Sequence, residues 1–138
     1  MKFIMASNHI NINVGNGIFH TDSSNYVYLI GSDYLSTDLY TICEDVNKKY
    51  VNIKLDYKFN DRTDPNRFYY RSDHYNFAKN GVPSVFLFNG VHEDYHQASD
   101  EVSKIEFDAL AKRTQLAFAI AWDLANRENR PVVDKDGK

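Results

Sequence analysis

Residues Val85 to Phe88, entered through Gly81-Val82-Pro83-Ser84, form an uninterrupted apolar run. A strand with one wet face alternates polar and apolar side chains, so such a run predicts a strand covered on both faces. That requirement excludes a small one-sided sheet and points to a sandwich with helices above and below. The run leads directly into Asn89-Gly90 and then a loop carrying His92, Glu93, Asp94, His96, Asp100 and Glu101. In open α/β sheets, ligands bind outside the carboxyl ends of central strands, where a loop can aim several side chains at one spot. Two imidazoles and four carboxylates in this loop make it the place to expect chemistry.

The remaining elements alternate. Ile10, Ile12 and Val14 occupy every second position of His9 to Val14, a period-two strand ended by Gly15-Asn16-Gly17. Tyr26 to Ile30 is a second strand closed by Gly31. Leu39, Ile42, Cys43 and Val46 fall on one helical face behind Ser36, a residue type that caps helices. Cys43 on that face reads as a small core residue. Val51, Ile53, Leu55 and Tyr57 alternate with polar residues, as a half-wet strand does. A polar loop spans Asn60 to Asn66, and a short helix starts at Ser72 or Asp73, with Gly81 as its end signal. Ser103 and Glu106 spell a capping box before the long helical run Ile105 to Asn126. This helix is apolar nearly all round from Leu116 to Leu124 and asks for more surface than four strands offer. It predicts a homo-oligomer or a place in something larger. Pro131 to Lys138 reads as a frayed polar tail. The order implies one domain over 1–138, an α/β fold with a partly parallel mixed sheet flanked by helices.

Composition excludes several functions. A net charge of -3, with Lys and Arg scattered, gives no nucleic-acid footprint. No apolar stretch approaches the roughly 20 residues of a membrane span. Met1 to Ala6 is too short and too weakly apolar for a signal peptide. One cysteine says nothing of compartment, which stays open.

Two readings of the loop involve zinc. His92-Glu93-Asp94-Tyr95-His96 spells H-E-x-x-H, the zincin motif, in which a helix sets two histidines on one face and Glu93 activates water. Asn89-Gly90 just upstream and the separate helix start near Ser103 predict an irregular loop instead. The second reading is a resemblance. Arg71-Ser72-Asp73-His74, Phe77, Gly81-Val82-Pro83, the apolar strand and Tyr95-His96-Gln97-Ala98-Ser99-Asp100 resemble the closing segment of the di-zinc aminopeptidases. That family also holds glutaminyl cyclases, glutamate carboxypeptidase and the non-enzymatic transferrin receptor. The match covers most of the chain from about Tyr26 onward.

The resemblance implies a zinc-exopeptidase-like fold, a peptide substrate, zinc as cofactor, and His96 as the final metal ligand. Tyr95 and Asp73 take substrate-binding or supporting positions near the site. The family's relatives are often exported. In the resembled family the di-zinc site also draws on an early His-x-Asp, a Glu-Glu pair supplying base and ligand, and an Asp ligand in an Asn-hydrophobic-Asp strand. The chain has no Glu-Glu pair, and its matching strand Asn11-Ile12-Asn13 holds Asn13 at the ligand position, a weaker donor than a carboxylate. His20-Thr21-Asp22 lies after that strand and reads as a turn. The expectation is therefore the C-terminal half of a metallopeptidase domain, incomplete, with no catalytic residue of its own and weak or no zinc binding. The alternatives are a non-catalytic binding or assembly module with a degenerate peptidase fold, and the zincin.

Overall fold

Alternation sorts the side chains of a central strand into two layers, and here both layers are filled. The computed structural model describes residues 25–136, together with the backbone of residues 2–5 and 10–14. In chain order the elements are β1 (Lys2–Met5), β2 (Ile10–Val14), β3 (Tyr26–Ile30), α1 (Thr37–Val46), β4 (Lys54–Asp56), α2 (His74–Ala78), β5 (Ser84–Phe88) and α3 (Phe107–Ala125). The strands form one sheet in the order β1-β2-β5-β3-β4. β2 runs parallel to β5, and β3 parallel to β4, whereas β1 and β2 are antiparallel, as are β3 and β5. The predicted α/β fold with a partly parallel mixed sheet is the fold observed. β1 adds a fifth strand that the sequence pattern does not announce.

β5 is central and buried at all five positions. Val85 and Leu87 face α1 and α3, joining Val27, Leu29, Leu39, Ile42, Val46, Leu116, Ile120 and Leu124 in one core. Phe86 and Phe88 face the other way, into an aromatic layer with Phe68, Tyr69, Tyr34 and Ala78. Burying a side chain such as Leu29 or Leu116 in full contributes roughly 1.5–3 kcal/mol, so the sheet is held from both sides. Cys43 sits in the first core with its thiol pushed up to about 12 by burial, which makes it a packing residue, in keeping with its place on the helical face.

Local chemistry sets the boundaries. Ser36 caps α1, its hydroxyl accepting from the Leu39 amide at 3.1 Å. The predicted strand from Val51 to Tyr57 shortens to three residues. Asn47 donates to the Ile53 carbonyl at 2.7 Å and accepts from the Ile53 amide at 3.1 Å. One side chain thus takes both backbone groups that a longer strand would pair. Gly81, at φ +80, closes the turn after α2. The Ser103–Glu106 capping box is a correction. Ser103 lies in a single 3-10 turn, Val102–Lys104, Ile105 is extended, and α3 starts at Phe107 without a side-chain cap. Residues 132–135 are tied back to the segment around α1. Val132 donates to Asp38, Thr37 to Asp134, and the Asp134 and Lys135 amides reach the Leu35 carbonyl.

Candidate functional site

The loop after β5 leaves the sheet at its centre, on the edge where the parallel strand β2 also ends. Tyr26 of β3 reaches the Asn89 carbonyl at 3.4 Å, and Gly90 turns the chain at φ +95. Beyond it the backbone folds as consecutive tight turns. The Tyr95 amide donates to the His92 carbonyl at 3.0 Å, Gln97 to Asp94 at 2.8 Å, and Asp100 to Gln97 at 3.2 Å. This is the irregular loop that Asn89-Gly90 predicts. His92 and His96 do not share a helix, and His96 is left-handed at φ +61, so the zincin reading lacks the geometry its motif requires.

The turns sort the side chains by depth. Asp94 points inward, 5% exposed, and accepts a hydrogen bond from Lys104 Nζ at 2.8 Å. That hydrogen bond raises the lysine's pKa, opposed by desolvation and helped by the charges of Asp94, Glu101 and Glu93. His96 points outward into solvent, its ring stacked on Tyr95 with centroids 4.1 Å apart and planes 16° apart. His92 is half-buried and meets the Tyr95 ring edge-on at 6.1 Å. Tyr95 and His96, the adjacent pair of the family pattern, thus stand ring against ring.

Asp73 stands exposed immediately before α2 and makes no side-chain cap, although its carbonyl accepts from Asn76 at 3.1 Å. Its neighbour His74, to which the sequence assigns no role, is fully buried, stacked on Phe86 at 5.0 Å and edge-on to Tyr69 at 5.2 Å. Burial lowers the His74 pKa to about 4, opposed by the Tyr69 carbonyl and the Asp73 charge. No bond of good hydrogen-bond geometry reaches either ring nitrogen, so the Tyr69 carbonyl acts here as a nearby dipole. Phe68 and Tyr69 belong to the aromatic core layer. Asn13 lies on β2 opposite Phe86, but its side chain, like His20 and Asp22, falls outside the described residues.

Among the described residues, no group of three or more His, Cys, Asp or Glu is placed to hold a metal ion. Tight zinc sites take three or four protein ligands, so the described donors do not by themselves fit the centre that the sequence resemblance implies. Two clefts, of about 230 and 280 Å³, lie away from the loop's histidines. One sits where Asn25, Tyr26 and Ile53 meet Lys112 and Arg113, the other between α1 and the segment Arg127 to Val132. No described helix is long and apolar enough to cross a membrane.

Lys104 is the residue that sequence reasoning misses. In the sequence it marks only the approach to a helix, and no short-range spacing rule couples it to Asp94 ten positions earlier.

A mixed sheet whose central strand leads into a Tyr-His turn, with a Ser-Asp-His helix start before that strand, fits the metallopeptidase-type domain that the sequence resembles. Comparison with known families agrees: the model of Peptidase family M28 matches residues 10–121. The chain belongs to this family of metallopeptidases, whose members are generally zinc-dependent and act on peptides. No curated protein and no solved structure matches the chain.

Proposed function

We propose that this chain is a peptidase domain unit that contributes His96 to a zinc-dependent aminopeptidase-type site and does not hydrolyse peptides by itself. The observation that carries the reading is the position of His96. It stands exposed on the turn after the central strand, inside the matched span and stacked on Tyr95. Asp73 and Tyr95 are the groups this chain offers for orienting a peptide. The other donors and the carboxylate base belong to a separate segment equivalent to the family's N-terminal half, because the sequence has no Glu-Glu pair and carries Asn13 where a carboxylate is needed. The same two departures favour a second reading, a binding or assembly module that has given up catalysis.

The test is zinc content and hydrolysis of an aminoacyl chromogenic substrate. The 138-residue protein alone is expected to hold less than one zinc per chain and to show no turnover. Supplying an N-terminal segment with the His-x-Asp and Glu-Glu groups restores turnover, and His96→Ala then removes most of it. Two zinc ions per chain with turnover in the isolated protein refutes the proposal. Failure of the added segment to restore turnover favours the binding module.

A further inference from the structure

The buried end of the His96 turn has a function that the ligand pattern does not contain. We propose that Lys104, acting through Asp94, is a positioning residue that fixes the backbone of the turn and so sets where the His96 imidazole stands. Its importance for catalysis rests on the reading of His96 given above, whereas the geometry and its test involve no metal.

Three observations carry the proposal. First, His96 holds φ +61, a left-handed conformation that costs a residue with a Cβ free energy and persists only where the surroundings impose it. The backbone bonds of the turns are each a single local N–H to carbonyl contact in a solvent-facing loop, and such bonds break readily. Second, Asp94 is the buried residue of these turns. It is 5% exposed and bound by Lys104 Nζ at 2.8 Å, while the Asp94 carbonyl accepts from Gln97 in the turn that contains His96. A displacement of Asp94 therefore moves the turn directly. Third, Lys104 closes the 3-10 turn Val102–Lys104, joined through Ile105 and Glu106 to α3, whose Leu116, Ile120 and Leu124 lie in the core. The ammonium carries the rigidity of the core helix to the loop and ties the His92–His96 turns to it.

The helix start agrees with this arrangement. A capping box at Ser103 and Glu106 needs Lys104 and Ile105 in the first helical turn. With Lys104 bound to Asp94, the chain stays in a 3-10 turn and an extended residue until Phe107.

The experiment is NMR on the complete, metal-free chain. The readout is the set of contacts between the Tyr95 and His96 rings, which stack at 4.1 Å in the native turn. Lys104→Met should abolish these ring–ring NOEs and shift the His96 imidazole resonances toward those of an unstructured histidine. Amide shifts in β5 and the buried part of α3 should hold. Lys104→Arg, which keeps a donor of the same charge, should restore the NOEs. Asp94→Asn, of nearly unchanged volume, should lose them as Lys104→Met does, and serves alone if that variant does not fold. Lys112→Met, the same charge change on the exposed side of α3, should leave them intact. Persistence of the stacked rings in both Lys104→Met and Asp94→Asn overturns the proposal, as does equal loss in Lys112→Met. These outcomes are independent of zinc complementation. An intact clamp in a chain that never gains activity sinks the enzyme reading alone, whereas restored activity with an unaltered turn in the variants sinks the clamp alone.

Discussion

The buried imidazole of His74 makes the fold acid-sensitive in a way that one substitution can isolate. In an unfolded chain this ring titrates near its ordinary 6.5, and in the folded protein burial holds it to about 4. The folded form therefore takes up the proton later than the unfolded form. Between those two values the unfolded chain binds more protons, so stability is complete above about pH 6.5 and is lost as pH falls toward 4. At about 1.4 kcal/mol for each tenfold difference in proton affinity, the gap corresponds to about 3 kcal/mol, a large part of a small domain's stability. His74→Phe keeps a ring to stack on Phe86 and removes the titration. Urea unfolding of both proteins at intervals from about pH 7.5 to about pH 4 gives the comparison, and common losses from carboxylates cancel between them. The wild type should lose about 3 kcal/mol more than the variant as pH falls to about 4. Near pH 7.5 the variant should be at least as stable, because neither ring nitrogen has a well-formed hydrogen bond to lose. Parallel pH profiles would refute the argument and show that water or a local opening reaches His74.

Two further perturbations test the packing. Gly31→Ala places a Cβ within overlap distance of Tyr69 Cε2 at a residue with φ +85, so strain and overpacking together should cost about 3 kcal/mol in denaturant unfolding; a loss under about 1 kcal/mol would mean the aromatic layer yields easily. Asn47→Ala removes both bonds to Ile53 and leaves a buried strand end unpaired, for an expected cost of about 2–3 kcal/mol with the slope on denaturant unchanged; an unaltered midpoint would show that water replaces the amide.

How far the sequence could be read depended on whether a feature is periodic or a meeting of distant groups. The central strand was legible because an unbroken apolar run of strand length demands cover on both faces, and α1 because its face and its Ser36 cap agree. The loop's irregularity followed from Asn89-Gly90. The length of β4 did not follow, since alternation through Tyr57 persists while the pairing is ended by a side chain six residues before Ile53. The capping box also satisfies the local rule at Ser103 and Glu106, yet the chain takes a 3-10 turn at Val102–Lys104 and α3 starts only at Phe107. The family pattern singles out His96 and Tyr95, whose rings stack on the loop after β5. The burial of His74 between Phe86 and Tyr69, by contrast, depends on how β5 and the turn Phe68–Tyr70 pack together, which no spacing encodes.

The seam between the tail and α1 has a kinetic meaning. Asp134 accepts from the Thr37 amide at 2.8 Å across ninety-seven residues of chain, and Val132 donates to Asp38. A contact of such long sequence separation forms only after most of the chain between has been ordered, so tail docking belongs late in folding. It is also the natural first point of release. Two residues on, the Leu39 amide is held locally by Ser36. Hydrogen exchange at Thr37 should report the detachment of the tail, and exchange at Leu39 the opening of the helix itself. Neighbouring amides on one turn thus separate two motions, the swinging away of a strap and the fraying of what it fastens.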